Sequence, residues 1–502
     1  MKQNRIVRML FSVTGLIILS KLMGFVKQMV VANQFGTTIE TDLITLSEGF
    51  IGNIQYLLVQ ALVTSFISVY IYTKEQEEAR ASRFAMDTIK AFTFVAAALT
   101  AIVCLGAPWI ARLIAPSYSA ELSGALARYL RLFSPLLILF VWIAVFQALL
   151  SANKRFLPGE MVNLNQSVII IALVLAFHRI LGVNVLALAF FIYTVWNVLY
   201  LGFLSRHNWR PAPGNPFANE SVRELLRMTV PLLLGYSIVY VNQMVDKILV
   251  SGLAAGTVTA LGYAAVLSNL VTTFIASFGS ILFSYVTTRI SQGQHQQAAE
   301  LSVWAASILI LLFLPISILT VLCAEDIVTI VFARGAFGAE SVHAAALALT
   351  GYAFSFVPMV LREVYSRFQY GYKDSRRPMV NSSVGIAVNI VLSIALCPRF
   401  GVLGVTFASS VSVCICGVLN LRSSRRHNTF LRPESLLRCV PFLAAGGIAC
   451  ALIALWGNWF WQGCSSLVRF LLVTLCAGGG YLLIVSPLLW KLLRKSGITL
   501  KG

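Results

Sequence analysis

The sequence predicts an all-α polytopic membrane protein of about fourteen transmembrane helices, arranged as two six-helix lobes in parallel repeat plus a C-terminal helix pair. Three observations predict it. Of the 502 residues, 58% are hydrophobic and only 11% charged, whereas soluble proteins carry about 25% charged residues. Apolar runs of about 20 residues recur along the whole chain, each long enough to cross about 30 Å of hydrocarbon as a helix. The sequence also matches itself at an offset of about 220 residues, the signature of a duplicated unit.

The runs fall near residues 8–31, 45–71, 86–111, 128–151, 161–178, 183–204, 227–250, 258–288, 302–323, 342–366, 378–397, 401–421, 437–457 and 467–490. The first continues past Val31 without a small-residue cleavage site, so it is expected to stay as a helix rather than leave as a signal peptide. With the N-terminus inside, the termini and even-numbered connections, which include Lys74, Arg80, Arg155, Arg206, Arg376, Arg377, Arg422 and Arg426, gather roughly 26 of the 38 Lys and Arg. Roughly seven fall outside, so the positive-inside bias predicts that both termini are cytoplasmic. The net charge of +19 is therefore a topology signal, with attraction to anionic membrane lipids beside it; a nucleic-acid partner is not expected.

At the offset, Lys27 falls on Lys247, Gly36-Thr37 on Gly256-Thr257, Pro158 on Pro378 and Arg179 on Arg399. The chain then divides into an N-terminal lobe at 1–220, a C-terminal lobe at 221–430 and a helix pair at 431–502. Six helices between equivalent positions restore the orientation, so the lobes are parallel repeats about an axis along the membrane normal. That arrangement suggests an alternating-access transporter with its substrate at midplane, and self-complementing lobes suggest a monomer.

Ionisable groups at bilayer depth are costly and are presumed to face a cavity or a partner. Lys21, Gly24, Lys27 and Gln28 share a face of the first span, and a cationic stripe beside a glycine resembles an anion-binding wall. The plain alternative is a lysine snorkelling to the interface. The second span carries Asp42, Glu48, Asn53, Gln55 and Gln60, too many polar groups for a lipid-facing surface, and is expected to line the cavity. In the seventh, Asn242 and Asp246 share a face with Lys247 beside them; Asp246 is either a cation or proton site or half of a charge pair. Arg362 and Glu363, adjacent at the end of the tenth span, point different ways and are candidates to brace a gate. Asn389 with Ser393, and Ser409 with Ser410, are either ligands or packing groups.

The nine cysteines form no CxxC pair, and the five histidines are isolated, so a transition-metal site is not expected. No GxxxxGK[ST] loop, GxSxG elbow, HExxH or DxD-like pair occurs. An enzyme is therefore not expected, no cofactor is implied, and coupling would come from Na+, H+ or the membrane potential. Two other readings stand beside transport of an anionic substrate: a multidrug antiporter, which takes mostly cationic substrates, and a membrane glycosyltransferase, for which Glu325 and Asp326 are the notable carboxylates.

Ser20-Lys21-Leu-Met-Gly24-Phe-Val-Lys27, the Phe35-Gly36 turn with Thr41-Asp42, Arg334-Gly-Ala-Phe337-Gly and Tyr372-Lys-Asp374-Ser-Arg-Arg-Pro378 resemble the MurJ/MviN family of lipid II flippases. That family lies within the multidrug, oligosaccharidyl-lipid and polysaccharide exporter superfamily. The resemblance implies a fourteen-helix flippase for an undecaprenyl-diphosphate-linked sugar, with cavity cations holding the diphosphate and cell-wall synthesis machinery as a partner. Lys21 and Lys27 stand where the family has arginines, keeping charge but losing the bidentate fork. Lys247 and Arg362 are the candidates to complete the diphosphate site. Gln28 replaces an acidic residue, and Gln55 and Val266 replace two cavity arginines, so a different polyprenyl-linked oligosaccharide is the second expectation. The resemblance also implies a sodium site of Asp246, Asn389, the Val405 carbonyl and Ser409, with Ser393 in place of a second carboxylate.

Overall fold

A computed structural model describes residues 2–209, 214–431 and 439–496; of the basic residues counted in the topology bias, Arg210, Arg432, Arg438 and Lys501 lie outside them. Each apolar run becomes a helix. α1 (Lys2–Phe35) stops at Gly36, whose φ of 58° only glycine adopts readily, and α2 (Ile39–Gln76) starts in a capping box of Thr38 and Thr41. α3 (Glu78–Ile114) follows, then α4 (Ala120–Phe133) and α5 (Leu136–Ala152), which together make one span. α6 (Leu157–Leu181), α7 (Asn184–Ser205), α8 (Glu220–Ser251), α9 (Thr257–Ser291) and α10 (His295–Leu322) come next, then the short α11 (Ala324–Phe332). α12 (Ala339–Ala353) and α13 (Phe356–Gly371) form one span bent by 42°. α14 (Arg376–Ser424) breaks at Gly401, and α15 (Val440–Phe460) and α16 (Ser466–Ser496) complete the order.

Among the described residues, eleven helices are long and apolar enough to span, twelve with the bent pair. α8, at 32 residues, is long enough too. With α8 included and α14 counted as two spans, the total is fourteen. Large apolar side chains such as Leu105, Ile180 and Leu483 face outward at 77–81% exposure, as lipid-facing residues should.

By packing, the chain divides into two compact units, residues 1–259 with 334–337, and 260–333 with 338–502. In the first, α5 is apolar all round and buried, with α2, α3 and α7 packed on it. Phe66, Phe84, Phe133 and Phe140 fill the space between them. In the second, α13 packs on α10 and α14, and a separate core joins α15 and α16 to α10 through Leu311, Cys450, Tyr481 and Val485. A Cβ at Gly446 would come within 2.6 Å of the Val485 side chain, so only glycine lets these helices approach so closely.

Unusual backbone positions recur at the spacing of the internal match. Positive φ occurs at Gly36 and Gly256, at Gly182 and Gly401, and at the non-glycine pair Lys154 (62°) and Lys373 (60°). The turns around these lysines share their closing bond, from Arg155 N–H to Leu150 O (2.8 Å) and from Asp374 N–H to Gln369 O (3.1 Å), the Schellman ending of a helix.

The histidines, isolated in sequence, are not isolated in space. Tyr372 is stacked between His295 and His427 at 5.7 and 5.4 Å, and Asn428 Nδ2 donates to its hydroxyl at 2.9 Å. His427 Nε2 lies 2.8 Å from Asp374 Oδ2. Burial works against the Asp374 charge, but the Arg377 amide, His427 and the Arg377 guanidinium outweigh it and hold this carboxyl below the usual range.

Candidate functional site

The first unit carries an open cavity of about 300 Å3 with a largely polar lining in an otherwise apolar helix bundle. α2 supplies Thr45, Glu48, Gly49, Gly52, Asn53 and Gln55. The first four follow the three- and four-residue spacing that places side chains on one helical face. Gln166 of α6, Phe190 and Tyr193 of α7 and Lys247 of α8 close the wall. Two glycines on the α2 face make the room: a methyl at Gly49 would overlap the Lys247 ammonium, so that ammonium lies directly against the α2 backbone.

Glu48 lines the cavity with Lys247 and Tyr193 and forms no ion pair within 4.0 Å among the described residues. Lys27 and Lys247 are the positions the internal match superposes. The carboxylate has no counterpart, because Ser268 occupies the equivalent place.

Lys21 is exposed, whereas Lys27 and Gln28 are half-buried on the same helix. Asn53 lines the cavity and reaches Met244 Sδ at 3.8 Å, and Gln55 lines it beside Asn53. Asp42 does not line it. Its buried carboxylate accepts from the backbone N–H of Gly256 (2.7 Å) and Thr259 (2.8 Å) and from the Thr259 hydroxyl (2.6 Å). The residue expected in the cavity is thus an anionic cap on the N-terminus of α9, satisfying orphan amides and the helix dipole. Replacing Asp42 with Ala should cost about 3 kcal/mol, the scale of lost charge-assisted hydrogen bonds, and lower the thermal midpoint of the purified protein. An unshifted midpoint would contradict this capping role.

Three backbone segments meet next to that cap. The Ala336 amide donates to Asn33 O at 2.8 Å. A Cβ at Gly36 would strike Ala336 O, one at Gly256 would strike Thr37 O, and one at Gly335 would strike Asn33 O. The Arg334–Phe337 segment therefore belongs to the first unit despite its distance in sequence.

The remaining candidates are placed as follows. Asp246 is buried in the first unit, while Asn389, Ser393, Val405 and Ser409 lie in the second. There Ser393 donates to Asn389 Oδ1 at 3.3 Å, and Ser409 donates to Val405 O at 3.3 Å. Arg362 also lies in the second unit. It was expected to diverge from Glu363, but the two form a loose ion pair at 3.8 Å, with Arg367 on the other oxygen of Glu363 at 3.5 Å. Of the two carboxylates considered for glycosyl transfer, Asp326 is held by Arg469 and Glu325 lies 3.0 Å from His343 Nδ1. Sequence reasoning missed Gln166 and Tyr193; the only signal was a polar residue inside the run at 161–178 and a tyrosine inside the run at 183–204.

A helical bundle of apolar spans around a charged, polar cavity defines a membrane transporter. A family model described as lipid II flippase MurJ matches residues 31–474, and the chain belongs to that family. The lipid II flippase MurJ of Burkholderia cenocepacia is 24% identical over 472 residues, covering 91% of each chain. The probable lipid II flippase MurJ of Treponema pallidum is 23% identical over 422 residues, covering 79% of this chain and 77% of that one. In fold, the chain is similar to a lipid II flippase MurJ solved in an inward closed conformation (TM-score 0.81, 17% identity, 96% of this chain and 100% of that one). It is less similar to an inward-facing multidrug resistance MATE family transporter of the MOP superfamily (TM-score 0.69, 12% identity, 82% and 95%).

Proposed function

We propose that this chain is a flippase that carries undecaprenyl-diphosphate-linked peptidoglycan precursor, lipid II, from the inner to the outer leaflet of a bacterial cytoplasmic membrane. The observation that carries the reading is Lys247, whose ammonium lies against the α2 backbone on the wall of a polar cavity among the spans, with Lys27 the position that the internal match superposes on it. Cations at bilayer depth are retained where an anion must be held, and a diphosphate is the anion that the family's named substrate carries. Alternating access, a monomer with both termini cytoplasmic, and drive from an ion gradient or the membrane potential complete the proposal. The packed end formed by Asn33–Thr37, Gly256 and Arg334–Phe337 supports a gate on one side of the cavity. The recurrence of positive-φ turns supports lobes at 1–220 and 221–430. Asp246, with Asn389, Ser393, Val405 and Ser409, is the proposed route for sodium. Lys21 and Arg362 are proposed to join Lys27 and Lys247 in holding the diphosphate.

One observation favours a second reading. Gln55 lines the cavity as a neutral amide, and Val266 adds no charge, where the family places cations. A flippase for another polyprenyl-linked oligosaccharide would share the lysine pair. Rescue of cells depleted of their own lipid II flippase separates the two.

A further inference from the structure

We infer that the second unit holds a binding site for the ammonium headgroup of an aminophospholipid, of the phosphatidylethanolamine kind, where α10, α11, α12, α15 and α16 meet. The site is separate from the polar cavity of the first unit, and the inference does not rest on the transported substrate.

An open cavity of about 490 Å3 lies there, and all of its lining belongs to the second unit. Its apolar wall includes Leu347 of α12 and Leu455 and Trp459 of α15, and its charged wall is Glu325, Asp326 and Arg469. Asn458 fixes α15 to the end of α10, its Nδ2 donating to Leu322 O at 2.9 Å.

Charge selects the ligand. Arg469 is forked onto Asp326, so those two charges are spent on each other. Glu325 is the remaining anion: its side chain is 66% exposed, and its one bond among the described residues joins Oε1 to His343 Nδ1 at 3.0 Å. A neutral imidazole donating there leaves the carboxylate charged, and the wall then carries one net negative charge. That disfavours an anionic headgroup and suits an ammonium, for which the ring of Trp459 offers a second, cation–π contact.

The surroundings make the ligand a lipid rather than a free amine. Leu452, Leu455, Trp456 and Trp459 follow the three- and four-residue spacing of one helical face and are 53–67% exposed. In a bilayer, acyl chains cover such a face. Leu455 and Trp459 belong both to this stripe and to the cavity wall, so a lipid whose chain lies on the stripe brings its headgroup to Glu325. Trp456, Phe460 and Trp461 pack together at the same end of α15, with ring centroids 5.0–6.2 Å apart, as aromatic residues do at headgroup level. With both termini cytoplasmic, α10 and α15 end at the outer face, and the lipid belongs to the outer leaflet.

The test is native mass spectrometry of the purified full chain, stripped of lipid in maltoside micelles. It is titrated with dioleoyl phosphatidylethanolamine, with the N-acetyl derivative that lacks the ammonium, and with dioleoyl phosphatidylglycerol. The parent should bind the first about fivefold more tightly than either of the others, the scale of one exposed charge contact. Glu325→Gln should bring the three lipids within about twofold of one another. Trp459→Leu, which keeps an apolar wall and removes the ring, should weaken the preference about twofold. Glu340→Gln removes an exposed carboxylate of α12 that does not line the cavity, and should leave the preference as it is. A parent without the preference, a preference that survives Glu325→Gln, or one lost equally in Glu340→Gln would overturn the site. Thermal midpoints equal to the parent's in lipid-free micelles show that the variants are folded.

Discussion

Lys27→Ala and Lys247→Ala each lose affinity for a polyprenyl diphosphate diester by about 10- to 100-fold, and together they abolish transport. The range follows from charge-assisted hydrogen bonds, worth about 1.5–3 kcal/mol each, at about 1.4 kcal/mol per factor of ten. Lys27→Arg should retain binding, because the charge stays and the guanidinium fork suits a phosphate. Gly49→Ala should fall between parent and lysine variants, since its methyl moves the Lys247 ammonium off the α2 backbone while leaving the charge in the cavity. Parent-like binding by both alanine variants would remove the lysine pair from the site.

Arg469→Ala is expected to produce the largest loss of stability. Arg469 Nε donates to both oxygens of Asp326, at 3.1 and 2.9 Å, and Nη2 closes the fork. Asp326 is buried at the start of α11, so truncating its partner strands a carboxylate away from water. Breaking a buried pair from one side costs about 3–5 kcal/mol, whereas removing both charges costs much less. The pair also ties α16 to α11, beside the Tyr481 hydroxyl bond to Leu311 O (2.8 Å) and the Trp304 indole bond to Leu492 O (3.0 Å) that dock α16 on α10. Thermal unfolding of the purified protein should show a midpoint several degrees lower for Arg469→Ala and most of it restored in Asp326→Asn/Arg469→Gln. A single variant as stable as the parent would show that the pair contributes nothing to docking.

The spans were legible because the bilayer demands long apolar runs, and the repeat was legible because its turns need particular backbone conformations. Gly36 and Gly256 keep their glycines for that reason, and Lys154 and Lys373 share a left-handed turn. Glu48, Asn53 and Gln55 were legible as polar residues on one helix, and Lys247 as the partner of Lys27 in the internal match. The role of Asp42 was not. A carboxylate near a helix start reads as one more polar group, and the amides it caps are more than 210 residues away in sequence. The grouping of His295, Tyr372 and His427 was hidden for the same reason, each coming from a different connection between spans. Asp326 was noticed as a carboxylate, but nothing local pointed to Arg469, 143 residues on. Tyr193 and Gln166 were overlooked because single polar residues in long apolar runs are common.

The measurement that tests the central claim most directly is complementation. The chain and its Lys27→Ala/Lys247→Ala variant are expressed at matched membrane abundance in bacteria depleted of their own lipid II flippase, and growth and lipid II translocation are followed. The account predicts that the parent restores both and that the variant restores neither. A parent that is abundant in the membrane and folded, yet restores neither growth nor translocation, would contradict lipid II as the substrate.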